Sequence, residues 1–319
     1  MSILSYIPFA SVLVFTILWL IEGYSHSAVI PKQVLPGGVS LVTSSYPAST
    51  RGKVMGLWGS AASFGNLFGI FLYISLEEEL RVPWTETLAI SGFLIILVSL
   101  TIIFLFRNRG QSEALVEKKI EKKGFFSVFQ VEGLAVYTVA YSCCKFMNYA
   151  WMMWLPYYLE KVLDVEHLLI GLGAAGYELG SMVGTYGGGW VSDKIGSRSR
   201  TAQIMLSFVV PLSLILWNLT SSNPVLIVLT CFGLGICVAG ICYLINSCAA
   251  ADISATGQQI GAISGLMDGI ASLFTGLGIF FIGFIQKYSW AYVFIAIGLA
   301  DFAAILTMQF VKHRVPHKA

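Results

Sequence analysis

Pro224-Val-Leu-Ile-Val-Leu-Thr-Cys-Phe-Gly-Leu-Gly-Ile-Cys-Val-Ala-Gly-Ile-Cys-Tyr-Leu-Ile-Asn-Ser247 runs for 24 residues without one charged side chain. A helix rises about 1.5 Å per residue, so a run of this length covers the ~30 Å hydrocarbon core of a bilayer. Comparable runs recur at residues 4–23, 27–47, 54–75, 85–106, 133–159, 168–188, 201–218, 258–285 and 289–311. With 224–247 they predict an all-α, polytopic membrane helical bundle of about ten transmembrane helices. The alternating ten-residue segments of a membrane barrel are not the pattern here. Pro31, Lys32, Pro36, Gly37 and Gly38 interrupt the second run, which predicts a broken helix sheltered by protein rather than facing lipid.

Composition points the same way: 56% of the 319 residues are hydrophobic and 11% are charged, against roughly a quarter charged in soluble domains. The net charge of +2 is spread over the connections between runs, which speaks against a nucleic-acid partner. Cys143, Cys144, Cys231, Cys237, Cys242 and Cys248 lie in or beside apolar segments and lack metal-ligand spacing, so they read as small buried thiols. His26, His167, His313 and His317 fall in connections or the tail. With no nucleophile elbow and no phosphate-cradling glycine loop beside a strand, the expectation is a chain that is not an enzyme and uses no cofactor or metal. The run beginning at Ile3 has no basic flank before it and no small-residue cleavage pattern after it, so it reads as a span and not a signal peptide.

Orientation follows from lysine and arginine. Fourteen of the 19 lie on one side: Arg51, Lys53, Arg107, Arg109, Lys118, Lys119, Lys122, Lys123, Lys194, Arg198, Arg200, Lys312, Arg314 and Lys318. Arg81, Lys161 and Lys287 lie opposite, while Lys32 and Lys145 fall within spans. This bias predicts cytoplasmic termini. Asn218-Leu-Thr220 is a glycosylation sequon on the opposite face. The longest connection, 107–132, carries Glu113, Glu117 and Glu121 among its lysines and separates four spans from six. The expected domains are an incomplete N-terminal half at 1–106, a cytoplasmic linker at 107–132 and a six-helix half at 133–319. In transporters built of two six-helix halves around a midplane site, four spans before the linker means that the first two helices are lacking.

Between the sixth and seventh spans stands Gly189-Trp-Val-Ser-Asp193-Lys194-Ile-Gly196-Ser-Arg198. It resembles the gating signature G-x-x-x-D-[RK]-x-G-x-[RK] of the major facilitator superfamily. Its glycines let helix ends approach, its acid suits a helix terminus, and its basic residues favour the cytoplasmic face.

Tyr141-Ser-Cys-Cys-Lys145-Phe-Met-Asn148-Tyr149-Ala-Trp-Met-Met-Trp154-Leu-Pro156-Tyr157-Tyr158 forms the fifth span, with Lys145 near its middle. A lysine at the bilayer centre costs about 3 kcal/mol on insertion scales, so it should face the bundle interior and meet an internal acid or an anionic substrate. Glu178 and Asp268 are the candidate internal partners. Asn148, Tyr149 and Met152 follow Lys145 at i+3, i+4 and i+7 and share its face.

This span, with Pro36-Gly37-Gly38-Val39, Arg51-Gly52-Lys-Val-Met-Gly56-Leu-Trp58, Ser63-Phe-Gly65-Asn66-Leu-Phe-Gly69, Glu178-Leu-Gly180-Ser-Met-Val-Gly184 and Asp268-Gly269, resembles the sugar-phosphate/phosphate antiporters of the endoplasmic reticulum, the glucose-6-phosphate transporter relatives. The matches follow in family order over nearly the whole chain. The resemblance implies exchange of a sugar phosphate or other organic phosphate for inorganic phosphate by alternating access, in the endoplasmic reticulum membrane. It implies basic groups from both halves on the phosphoryl group. Lys145 matches the second-half position. The first-half arginine of the family's first helix has no counterpart, and Ala61 stands where many relatives carry a histidine in the span at 54–75. Lys32 is the candidate for the missing charge, with a lysine snorkelling from a helix end as the alternative.

The expected substrate-binding residues are Lys145, Asn148, Tyr149 and Glu178, with Asp268 ranked below Glu178. Gly176, Gly180, Gly184 and Gly188 repeat every fourth residue, as do Gly261, Gly265 and Gly269, which predicts two close helix seams with Asp268 on the second. Glu178 points away from its stripe, toward the cavity or Lys145, and Asp301 reads as an internal hydrogen-bonded acid. The alternative function is a truncated, non-transporting membrane protein or isoform, or a carrier of another organic anion. With only ten spans, a homodimer is expected to cover faces that neighbouring helices would otherwise bury.

Overall fold

The structure is a computed structural model that describes residues 48–106, 131–249, 253 and 257–310. The expected spans at 4–23 and 27–47, Lys32, and all but the last two residues of the 107–132 connection lie outside the described residues.

Helix α1 (Ala48–Tyr73) runs into a π-helical turn, Ile74–Glu79, and is followed by α2 (Trp84–Phe106). Next come α3 (Leu134–Lys161), α4 (His167–Ile195), α5 (Arg198–Leu206) and α6 (Val209–Asn218). The series ends with α7 (Pro224–Tyr243), its π-helical extension Leu244–Ala249, α8 (Gly257–Ile285) and α9 (Trp290–Gln309). Among the described residues there is no strand. The result is the all-α membrane bundle expected.

Five described stretches are long and apolar enough to cross a membrane: Lys53–Glu77, Arg198–Asn218, Pro224–Asn246, Ala262–Ile285 and Trp290–Gln309. Helices α3 and α4 are longer, at 28 and 29 residues, yet are not in that set. Their hydropathy is diluted by Lys145, Asn148, Tyr177 and Glu178, which line a cavity instead of meeting lipid.

Two expectations are corrected locally. The span at 201–218 is two helices parted at Ser207-Phe208. Pro211 has no amide hydrogen for the Ser207 carbonyl and its ring crowds that carbonyl, so the helix restarts there. The gating signature is mostly not a connection, because Gly189 to Ile195 form the last turns of α4. Gly196 ends that helix at φ 69°, a left-handed conformation that glycine adopts without strain, and its N–H donates to the Ser192 carbonyl. Only Gly196 and Ser197 link α4 to α5, whose first turn is capped by the Ser197 hydroxyl accepting from the Arg200 amide at 3.4 Å.

The stripe at Gly176, Gly180 and Gly184 packs α4 against α7 backbone to backbone. A methyl group at Gly180 would overlap the Phe232 carbonyl oxygen, one at Gly184 the Ile236 carbonyl, and one at Gly235 the Tyr177 carbonyl. Side chains other than hydrogen cannot enter this seam, which brings the polar face of α4 close to α7. Helix α1 joins the same layer, with Gly56 against the Thr185 carbonyl and Gly59 against the Tyr243 ring. The second stripe behaves differently from expectation: Gly269 is exposed, with open space where its Cβ would be, while Asp268 beside it lines the cavity. On the other side α3 packs on α8 and α9. An aromatic cluster joins their ends, with Tyr158 and Trp290 ring centroids 4.9 Å apart and Trp217 and Phe294 also 4.9 Å apart.

Gly180→Ala should lower the melting temperature in detergent, with overpacking costing about 1–3 kcal/mol. Gly187→Ala, which meets no atom within 4 Å, should leave it unchanged or slightly raised. Equal melting temperatures for the two variants would contradict the close α4/α7 seam.

Candidate functional site

Five helical segments wall a cavity of about 370 Å3: α1, α3, α4, the end of α7 with its π extension, and α8. It falls within the ~300–1,000 Å3 range of small-molecule sites. Helix α3 supplies Tyr141, Lys145, Asn148, Tyr149 and Met152, whose spacing places all five on one helical face. A second cavity of about 830 Å3 shares Asn66, Met152, Tyr177 and Glu178 with the first and extends to Tyr73, Glu160 and His167 at the helix ends.

Lys145 is 9% exposed. Its Nζ donates to Asp268 Oδ1 at 2.7 Å and to Ser272 Oγ at 2.7 Å. The Tyr141 hydroxyl donates to the same Asp268 oxygen at 2.7 Å. The Ser272 hydroxyl in turn donates to the Asp268 carbonyl at 2.7 Å, which fixes its rotamer toward the lysine. The rings of Tyr141 and Tyr149 each lie 5.8 Å from Nζ, within range of a cation–π attraction. The ammonium group is thus held by one carboxylate, one hydroxyl and two aromatic walls, on the edge of a space large enough for a ligand.

Of the two candidate partners, one meets the lysine. Asp268, not Glu178, pairs with Lys145, because α8 packs directly on α3 and presents Asp268 one turn before Ser272. Glu178 is 5% exposed and lines the same cavity, where its Oε1 accepts from Asn66 Nδ2 at 3.0 Å. Among the described residues no cation pairs with it. Asn148 accepts from the Tyr177 hydroxyl at 2.8 Å through Oδ1, which leaves its amide hydrogens for other acceptors. Tyr149 is 37% exposed and faces the same space.

Asn66, Tyr141, Tyr177, Ser272 and Asn246 are cavity or pair residues that sequence reasoning did not select. Tyr141, four residues before Lys145, was available from helical spacing. Asn246 sits on the π extension of α7 and accepts from the Ser264 hydroxyl at 3.0 Å. Asp301 is 2% exposed and so internal as expected, lies outside the cavity lining, and its Oδ1 has no hydrogen-bond partner among the described residues.

The gating signature forms a separate cluster. Asp193 Oδ1 binds the Arg198 guanidinium at 2.6 Å, and Asp193 Oδ2 accepts from the Lys53 backbone N–H at 2.9 Å. Arg198 is 2% exposed and also donates to Ser192 Oγ at 2.9 Å. Gly189 and Gly196 are buried, and Lys194 Nζ stacks 3.6 Å from the Trp190 ring centroid. The signature therefore ties the end of α4 to the beginning of α1.

The described helices thus form a membrane bundle whose polar side chains converge on an interior cavity, with an ion pair on its wall. Residues 1–276 match the sequence model of the Major Facilitator Superfamily, and the chain belongs to that superfamily. It is 25% identical over 315 residues to "Putative glycerol-3-phosphate transporter 5" of Arabidopsis thaliana, covering 84% of this chain and 63% of that protein. It is 24% identical over 324 residues to "Sugar phosphate exchanger 3" of Gallus gallus, covering 87% and 62%. The protein of the same description from Homo sapiens is 26% identical over 322 residues, covering 87% and 63%. The chain thus spans less than two thirds of the length of these curated relatives.

Removing one member of a buried pair leaves the other charge uncompensated, whereas removing both does not. Lys145→Ala and Asp268→Ala should each lower the melting temperature, and the double variant should fall no further than the worse single one. The coupling should be about 0.5–3 kcal/mol. Simple additivity would contradict the pairing.

Proposed function

We propose that this chain is a secondary transporter that exchanges a sugar phosphate or another organic phosphate for inorganic phosphate by alternating access. The observation that carries this reading is Lys145, a cation inside a membrane bundle, on the wall of a ligand-sized cavity. In the resting site Asp268 neutralises it. An entering phosphoryl group offers more anionic oxygens than one carboxylate and takes Lys145 Nζ, with the Tyr141 hydroxyl as a further donor. Asp268 then becomes the group that restores neutrality when the site empties, so neither loaded nor empty states leave an ammonium ion bare in the bundle. The sugar-phosphate exchangers and glycerol-3-phosphate transporters among its relatives support this substrate class.

Alternating access is supported by an asymmetry along the bundle. At one end the Lys53 to Asp193 bond and the Gly56 to Thr185 approach hold α1 against α4. At the other end the 830 Å3 cavity reaches Tyr73, Glu160 and His167. The closed end bears Lys53, Lys194, Arg198 and Arg200, which the lysine and arginine bias assigns to the cytoplasm, together with both termini. In this reading the latch at Asp193 breaks when the site turns to the cytoplasm. Residence in the endoplasmic reticulum membrane rests on the family resemblance, and the two-half division at 107–132 belongs to the same proposal.

Proteoliposomes preloaded with phosphate should take up labelled phosphate and glucose 6-phosphate, and Lys145→Ala should abolish uptake at equal incorporation. Absence of exchange in the wild-type chain, with folding shown by its melting transition, would contradict transport. Undiminished exchange in Lys145→Ala would contradict the site.

A further inference from the structure

Glu178 is the charged wall of the cavity that the exchange of anions at Lys145 does not use. It is 5% exposed and pairs with no cation among the described residues, although Lys145 lines the same 370 Å3 space. Asn66 Nδ2 is its hydrogen-bond donor at 3.0 Å, and the Ser63 hydroxyl is within hydrogen-bonding reach. A carboxylate accepts at about four lone-pair positions, so one amide and one hydroxyl leave acceptor capacity directed at the cavity. A buried acceptor with spare capacity demands donors from whatever fills the space.

A phosphate monoester dianion cannot supply those donors, because its phosphoryl oxygens are acceptors and anionic, and inorganic phosphate supplies them only through P–OH. The two ends of the cavity therefore select different chemistry. The α3/α8 end, with Lys145 and the Tyr141 hydroxyl, offers donors to an anion. The α1/α4 end, with Glu178 and the Asn66 carbonyl, offers acceptors to neutral hydroxyls. Between them, Asn148 is anchored through its Oδ1 by Tyr177 and keeps its amide hydrogens for ring or hydroxyl oxygens. The π-helical Asn246 and the Tyr243 ring form the remaining wall.

We infer that Glu178 and Asn66 form a polyol subsite that binds the sugar hydroxyls of the substrate while Lys145 holds its phosphoryl group. This rests on the transport reading above and deepens it: the preferred cargo is a phosphorylated polyhydroxy compound bound lengthwise between α3/α8 and α1/α4. Inorganic phosphate held at the Lys145 end offers the acceptor pair at most a P–OH, and it is therefore less sensitive to that pair than a sugar phosphate. A substrate with more hydroxyls gains more from Glu178 than one with few.

The test is the ratio of apparent affinities for glucose 6-phosphate and inorganic phosphate, measured by competition against labelled phosphate uptake into phosphate-loaded proteoliposomes. Glu178→Ala and Asn66→Ala should each shift that ratio against glucose 6-phosphate by about tenfold, as expected for losing a charged or amide partner of a buried hydroxyl. Glycerol 3-phosphate should shift less. Glu178→Gln, which keeps volume and hydrogen bonding, should give an intermediate ratio and serves where the alanine variant does not fold. Equal weakening toward glucose 6-phosphate and phosphate would overturn the subsite and leave Glu178 a structural residue, while the transport reading would stand. Wild-type preference for phosphoethanolamine over glucose 6-phosphate would also overturn it, because Glu178 would then be selecting an ammonium group. A wild-type chain that exchanges no phosphate compound would overturn the transport reading and the subsite with it.

Discussion

A lysine in the middle of a membrane bundle must be answered by a negative group, and much of the site's geometry can be understood as that answer. Lys145 reaches Asp268 and Ser272 only because α8 lies along α3, and Tyr141 reaches the same carboxylate from one turn earlier on α3. The pair is not sealed. Asp268 keeps 31% of its side-chain surface accessible, against 11% for Lys145, so the ammonium is sheltered while its counter-ion stands at the cavity edge. A fully buried pair would serve stability or specificity alone; one with an accessible carboxylate is suited to exchanging that carboxylate for a ligand anion.

The opposite wall depends on a different constraint, the distance of closest approach between backbones. Glycine at 180, 184 and 235 brings α4 and α7 together, and glycine at 56 does the same for α1 and α4. In lipid there is no hydrophobic drive between helices beyond packing and hydrogen bonding, so this intimacy supplies much of the association. It also fixes the rotation of α4, with Gly180 toward α7 and Glu178 toward Asn66 of α1. The same helix carries Asp193 at its end, so one rigid element spans from the cavity to the contact with the start of α1.

Much of this was legible in the sequence. Uninterrupted apolar length gave α7 and α9, and the spacing of Lys145, Asn148, Tyr149 and Met152 gave the polar face of α3. The glycine stripe of α4 was readable because its period of four matches a helical seam. The partner of Lys145 was not, since Glu178 and Asp268 are equivalent as acids and only the packing of α8 on α3 chooses between them. Asn66 stood within a recognised family pattern without any sign that it would meet Glu178 across two helices. Asn246 was hidden because a π-helical stretch shifts the register on which face assignments rest. The break at Ser207 was written in Pro211, yet the apolar run around it masks the interruption.

The central claim is that the Lys145 and Asp268 pair is the anion site, and equilibrium binding of labelled inorganic phosphate to the purified protein tests it most directly. The comparison is between the wild-type chain and the neutral double variant Lys145→Gln, Asp268→Asn, which keeps side-chain volume and removes both charges. Saturable phosphate binding by the wild type and none by the folded double variant is the predicted result. Equal binding by the two would contradict the account.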